Sequence, residues 1–432
     1  MRLSVILALL LSASLFGCDP DPDPDAGPAD AGARGDAGSD AGSPPDDSPY
    51  KGPWVQRPAT DAMTVRWESR LAPPSAAVEV MPIAGGDMLS FTGTSRETVV
   101  QLSYGIGSPI VTVPDLPGTY YVNEVELTGL TPGVCYTYAI VGWPSEGGRF
   151  CTLHASSDHA TPIRFYAIGD TSPGVMGTLR VLAAARPEET DFTIHLGDIQ
   201  YYESVIESQQ LWFNLMQPLL RANAFLPCVG NHEIDEVEHE WTDIYERLFL
   251  PTGRDSEEVY YSFQSGGVWF FSLSSEHDLE VGSTQIAWLE AQLAAAEADP
   301  DYRFSVIYMH RPLYSLGDFR PRESMRDALF PVLAAHEIPL VLSGHVHGYQ
   351  RFEYPDTTHL VPGSGGFVDL SVDQHIDEYP DDAMHREASG VFLASMIIEI
   401  TENASGDDVI RGEAIDDMGM VRDSFERVVL RP

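Results

Sequence analysis

The stretch IPLVLSGHVHGYQR, residues 338–351, decides the fold. An apolar run from Ile338 to Leu342 ends at Ser343-Gly344 and delivers His345 and His347, two residues apart. Alternate residues of an extended segment point the same way, so both imidazoles can face one site. Imidazole is the commonest side-chain metal ligand. Two surface histidines in a turn are the competing reading, and the rest of the chain bears on the choice.

Four more apolar runs end in the same fashion. Ile163 to Ile168 leads into Gly169-Asp170, and Phe192 to Leu196 into Gly197-Asp198, with Tyr201 three residues on. Leu226 to Val229 leads into Gly230-Asn231-His232-Glu233, and Phe304 to Met309 into His310. Amphipathic stretches around Met176 to Ala185, Glu207 to Leu220, Thr284 to Ala296 and Ser324 to Ala335 alternate with these runs. The alternation predicts an α/β layered domain over residues 160–430, closed by strands in Val391 to Ile400 and Val409 to Val429. The polar segment Val368 to Ser389 reads as loop.

Ligands of α/β sheets bind at the carboxyl ends of the strands. One Gly-Asp is an ordinary turn, but five runs each ending on Asp, Asn or His form a constellation. Asp170, Asp198, Tyr201, Asn231, His310, His345 and His347 are too many donors for one tetrahedral site. Two adjacent cations sharing a carboxylate fit better; such pairs sit about 3.5–4 Å apart, orient a phosphoryl group and acidify a bound water. Oxygen and imidazole donors suit iron, zinc or manganese better than copper(I). Cys228 reads as core. Arg311, after His310, can pair with phosphate or with a surface carboxylate. His277, His336, His359, His375 and His385 lack usable partner spacing and read as surface or structural.

Upstream the chain is organised for export. Residues 1–18, MRLSVILALLLSASLFGC, read as a signal peptide, too short to span a bilayer as a stable helix. Leu15-Phe16-Gly17-Cys18 resembles a bacterial lipobox, which makes Cys18 the expected lipidation site; a plain signal peptide with a coincidental Cys is the alternative. Residues 19–49 collapse to Asp, Pro, Ala, Gly and Ser, cannot bury a core, and read as a disordered, extended spacer. The location that follows is a membrane-anchored lipoprotein on the periplasmic or cell-surface side, or a secreted protein. Which membrane takes the lipid stays open.

Residues 50–156 read as all-β. Met63 to Trp67, Ala77 to Met81 and Glu124 to Leu127 alternate, and Thr131-Pro132-Gly133 is a turn before a strand from Cys135 to Val141. Short strands over this length suggest a sandwich of the immunoglobulin or fibronectin type. Cys135 and Cys151 fall in successive strands across a turn expected at Ser145 to Gly148. Export favours a disulfide between them, with two unpaired core cysteines as the alternative.

Composition bounds the function. With 432 residues, 43% hydrophobic, the chain can build more than one core. Its 25 Lys+Arg against 65 Asp+Glu leave a net charge of −40. That argues against nucleic acid and anionic membrane surfaces as partners, leaving a lipid anchor as the only membrane link. If the paired cations act on a phosphoryl group, this charge favours small phosphate esters over polyanionic substrates, and the oligomeric state stays open.

GDTS at 169–172, GDIQY at 197–201, GNHE at 230–233, the run into His310 and GHVH at 344–347 resemble, in order and spacing, the five blocks of the purple acid phosphatase branch of calcineurin-like metallophosphoesterases. GPWVQRP, MTVRWES and VELTGLTPGVCYTYAI are similar to that family's N-terminal, fibronectin III-like domain. The resemblance implies a four-layer αββα metallophosphoesterase sandwich preceded by an all-β fibronectin/immunoglobulin-like sandwich. It implies Asp170, Tyr201 and His347 on a ferric ion. Asn231, His310 and His345 would hold a divalent ion (zinc, iron or manganese), with Asp198 bridging. It implies attack on phosphorus by a metal-bound hydroxide, with His232 contacting the phosphate or protonating the leaving group. The implied activity is an acid phosphatase-type phosphomonoesterase; a phosphodiesterase is the alternative, and a non-catalytic surface binding protein a remoter one. One departure stands out: plant members carry adjacent histidines beyond the His310 block, where Tyr314-Ser315-Leu316-Gly317-Asp318 offers none.

Overall fold

The computed structural model describes residues 47–100, 118–171, 176–184, 186, 189–199, 205–234, 245, 248, 249, 259–366, 368 and 371–431. Cys18 and nearly all of the 19–49 segment lie outside the described residues, as does Tyr201.

Two large sheets organise the molecule. The first has ten strands, in the order Val421–Val429, Asp408–Asp416, Ala394–Glu402, Ile163–Ile168, Phe192–His195, Ala224–Pro227, Pro49–Gln56, Ala62–Ser69, Gly118–Thr128 and Thr94–Val100. The second has seven: Tyr261–Ser265, Val268–Ser272, Phe304–Met309, Leu340–Ser343, Thr358–Pro362, Tyr349–Glu353 and Arg386–Gly390. The strands that matter for the site are parallel neighbours. Phe192 pairs with Phe165 on one side and Ala224 on the other, and Val306 pairs with Leu340 in the second sheet. All five therefore end on the same edge of the two sheets.

Strand alternation sets the layers. Phe165 and Ala167, with Phe192 of the same sheet, face one core, shared with Phe270 and Val306 of the opposite sheet. Their neighbours Tyr166 and Ile168 face a second core, against Val181 of the helix Met176–Ala184 and Trp212, Phe213 and Met216 of the helix Val205–Leu220. On the far side, Phe271, Ile307 and Val341 pack on Leu289 and Leu293 of Thr284–Glu297 and on Leu329 and Val332 of Glu323–Ala335. The order is helix, sheet, sheet, helix. Between the sheets, Phe165 and Phe192 stack at 5.4 Å and meet Phe270 edge-on, a geometry that adds to burial because ring edges and faces carry opposite charge.

Residues 49–151 contribute eight strands. Four extend the ten-stranded sheet and four form a small sheet of Leu89–Thr92, Ala77–Pro82, Cys135–Ile140 and Trp143–Cys151. The junction is a parallel pairing of Val55 with Ala224. It is reinforced by the Trp54 indole N–H donating to the Leu248 carbonyl at 3.0 Å, and by the Arg149 N–H donating to the Arg221 carbonyl. Cys135 and Cys151 are cross-strand partners and are disulfide-bonded.

Three local expectations need correction. The hairpin turn falls at Val141-Gly142, not at Ser145 to Gly148. Gly147 and Gly148 lie inside the second strand, where a Cβ would strike the Tyr138 and Arg221 carbonyls; close backbone approach, not turning, accounts for them. The run Leu226 to Val229 is displaced: the strand is Ala224–Pro227, and buried Cys228 lies one residue past it. The stretch 368–389, read as loop, holds a short helix Pro380–Ala383 and most of an edge strand, Arg386–Gly390.

Candidate metal centre

Each candidate ligand within the described residues stands just past a strand's carboxyl end. Asp170 follows Ile163–Ile168, Asp198 follows Phe192–His195, and Asn231 follows Ala224–Pro227. His310 follows Phe304–Met309, and His345 and His347 follow Leu340–Ser343. The two sheets thus bring three oxygen-bearing and three imidazole side chains to one edge.

The groups converge. His310 Nε2 lies 3.0 Å from Asn231 Oδ1, 3.2 Å from Asp198 Oδ2 and 3.2 Å from His345 Nδ1. Ligand atoms of Asp198, His310 and His345 all fall within 4.8 Å of one another. On the other side, His347 Nε2 is 3.6 Å from Asp170 Oδ1. The His345 backbone N–H donates to both Asp170 oxygens at 3.0 Å, tying the two clusters together.

The backbone is bent to make this possible. Four non-glycine residues among those described have positive φ, and three are candidate ligands: Asp170 at 56°, Asp198 at 50° and His345 at 69°. Each such conformation costs on the order of 1–3 kcal/mol and persists only where the surroundings enforce it. Glycines clear the space. A Cβ on Gly344 would collide with the Asp170 carboxylate, and one on Gly230 with that of Asp198.

Supporting bonds fix the ligands. Glu233 accepts N–H groups from Asp198, Ile199 and Gly230 at 2.8–2.9 Å. The His232 N–H donates to Asp198 Oδ1 at 3.0 Å, and His310 Nδ1 meets the Leu196 carbonyl at 2.8 Å. With Nδ1 donating its proton to that carbonyl, Nε2 is left facing the cluster. Thr171 Oγ1 binds His195 Nε2 at 2.9 Å and accepts the Trp212 indole N–H at 3.0 Å.

The electrostatics are those of charge concentrated out of water. Burial alone would raise the Asp198 carboxyl, but His310 and His232 outweigh it and hold it well below the usual range. His310 would be lowered by burial, yet Asp198 and Asp170 lift it to about 9. Burial, aided by His310 and Arg311, pushes His345 well below its ordinary value. Burial also raises Asp170, with Asp198 adding to it. Two buried carboxylates, an amide oxygen and three imidazoles converging in this way suit hard or borderline divalent and trivalent cations, and the glycine cradle fits the same purpose.

Arg311 answers the question left by its sequence. Its Nε donates to Glu276 at 2.7 and 3.0 Å, and its Nη1 meets His345 Nε2 at 2.8 Å. The carboxylate is largely buried, and the guanidinium lies beside a ligand rather than out on the surface. His232 is half-buried beside Asn231. Glu276, His195 and Phe319 went unread in the sequence, as did the role of Thr171 within GDTS; their contacts with the site depend on tertiary packing that no local pattern marks.

The other histidines are accounted for structurally. His336 pairs with Glu297 and His375 with Glu378, while His359 is buried against Tyr314. His277 contacts Ser274, and His385 stacks on Tyr354.

Residues 163–349 match the family model of calcineurin-like phosphoesterases. A probable purple acid phosphatase 20 of Arabidopsis thaliana is 27% identical over 76% of this chain and 77% of its own length. Purple acid phosphatase 22 of the same plant is 30% identical over 54% of each chain, so the match spans about half of that relative. Among solved structures, a purple acid phosphatase from yellow lupin seeds superposes with a TM-score of 0.71 at 20% identity, over 88% of this chain and 74% of that one, a likeness of fold. The chain therefore carries a calcineurin-like phosphoesterase domain, that of a phosphoester hydrolase, with purple acid phosphatases among its homologues.

Proposed function

We propose that this chain is an exported, binuclear phosphomonoesterase of the purple acid phosphatase type, acting on small phosphate esters at acid to neutral pH. The observation that carries the reading is the convergence of Asp198, Asn231, His310 and His345 beside the Asp170–His347 pair. In this reading Asp170 and His347, with Tyr201, would hold an iron(III), Asn231, His310 and His345 would hold a divalent ion, and Asp198 would serve both. When bound, such a pair supplies Lewis acidity toward phosphoryl oxygens and acidifies water at neutral pH.

The chain's own residues do the rest. Glu233 fixes the Asp198 backbone and the His232 N–H fixes its carboxylate, so it need not reorganise during the reaction. The half-buried His232 imidazole, next to Asn231, is our candidate for contacting a phosphate oxygen or protonating a departing alkoxide. Arg311, oriented by Glu276, presents a further cation at the same edge.

The remaining features support an extracytoplasmic setting: the leader ending at Cys18, the Asp/Pro spacer over 19–49, the bonded pair Cys135 and Cys151, and the strands of 50–156, which we read as a fibronectin III-like domain. A phosphodiesterase is favoured by one observation. The segment after His310 buries Tyr314 in an aromatic cluster with Phe330 and Tyr354 and brings no histidine to the site.

The test compares an aryl phosphate monoester with its diester across pH, on metal-replete protein. Asp198→Ala is expected to lower monoester turnover by about a hundredfold or more and to reduce bound metal. Preferential diester cleavage by the wild type would move the assignment to the diesterase reading; turnover unaffected by Asp198→Ala would remove the site from the chemistry.

A further inference from the structure

Phe319 is the single aromatic among the large hydrophobic side chains exposed in the described residues, at 37%. It is not on a random surface. Its ring centroid lies 4.1 Å from that of His345, tilted by 32°, so one face covers a candidate ligand and the rest meets solvent at the mouth of the site. His345 beneath it is 5% exposed.

The segment carrying Phe319 is held from several directions. The Leu316 N–H donates to Gln350 and the Leu316 carbonyl accepts from the His375 N–H. On the other side, Arg320 forms a two-pronged bond to Glu378, and Arg322 donates to the Ser275 carbonyl. An aromatic ring fixed by its flanks loses little freedom when a ligand stacks on it. An exposed ring would otherwise be disfavoured, since turning it inward would remove apolar area from water.

We propose that Phe319 is a specificity residue, a platform for the leaving group of phosphate esters that carry an aromatic ring directly on the ester oxygen. The inference rests on the phosphomonoesterase reading above. A phosphoryl group drawn to cations held by His310, His345 and Asp198 would sit at the edge that carries the imidazole Phe319 covers. A ring bonded to its ester oxygen meets the Phe319 edge or face; a flexible alkyl chain gains far less there. The loop of residues 312–322 contains no histidine, and its two arginines are engaged beside the ring, Arg320 with Glu378 and Arg322 with the Ser275 carbonyl and Glu276.

The experiment measures kcat and KM for phenyl phosphate and for an alkyl phosphate of similar size, in the full metal-replete chain, for wild type, Phe319→Leu and Phe319→Tyr. Intrinsic leaving-group reactivity cancels when the aryl-to-alkyl ratio is compared between variants. Phe319→Leu is expected to lower that ratio in kcat/KM by about three- to tenfold, mostly through KM for the aryl ester, and Phe319→Tyr to restore it. A ratio unchanged in Phe319→Leu, or both esters falling in parallel, would show that Phe319 only shields His345 and overturn the platform while leaving the phosphatase reading intact. Failure of the wild type to turn over either ester would overturn that reading, and the platform with it.

Discussion

At the scale of single residues, glycine does as much for the site as the ligands. Gly230 has an ordinary extended backbone, yet a Cβ there would strike both the backbone N and the carboxylate of Asp198. Neither is the loose end of a flexible side chain, so Asp198 would have to move. Gly230→Ala is expected to lower bound metal and turnover by about ten- to a hundredfold while leaving the far-ultraviolet circular dichroism intact. Metal analysis beside a turnover assay checks this, and full metal content in the variant would contradict it. The strained φ angles of Asp170, Asp198 and His345 make the same point from the backbone side. Stability has been spent at the strand ends to aim these side chains.

At the scale of elements, what could be read in sequence were the strands that carry both a continuous apolar run and a polar residue at the end. Ile163–Ile168 and Phe304–Met309 have the expected boundaries because parallel strands buried on both faces need uninterrupted apolar residues. The hairpin Tyr261–Ser265 and Val268–Ser272 escaped notice although Gly266-Gly267, both at positive φ, turns it. The glycines of Trp143–Cys151 misled, since there they mark backbone crowding.

The Thr358–Pro362 strand yields a pH prediction. His359 is buried edge-on to Tyr314 at 4.6 Å, and burial, with Arg427 and Arg326 adding, pushes it down to about 3 from 6.5. Above pH 6.5 it is neutral folded or unfolded; between 6.5 and 3 only the unfolded chain takes up the proton. Stability contributed by this residue therefore falls as pH falls, by about 1.4 kcal/mol per unit once below the unfolded value. Urea midpoints from pH 7 to 5 should decline less steeply in His359→Gln than in wild type; parallel profiles would refute the assignment.

At the scale of the whole molecule, the decisive contact had no local sequence signal. The pairing of Val55 with Ala224 joins segments far apart in the chain, and neither strand announces its partner. A change of pattern at Pro162 was legible in the sequence, but the continuity of one sheet across it was not. That continuity predicts the behaviour of a truncation. Removing residues 1–156 would strip the edge of Ala224–Pro227 and expose the surface that Trp54 covers against Phe213. The fragment is expected to be insoluble or to lose cooperative unfolding, and the intact chain to melt in one calorimetric transition. A soluble fragment with the catalytic sheet's full melting enthalpy would count against this.

The position of Pro49–Gln56 in the ten-stranded sheet also decides how the fold meets mechanical load. Tension applied through the residues before Pro49 enters along the axis of a strand flanked by Ala62–Ser69 on one side and Ala224–Pro227 on the other. Ladder bonds loaded along a strand yield together rather than one at a time, so the place where the chain enters this sheet resists force along that strand.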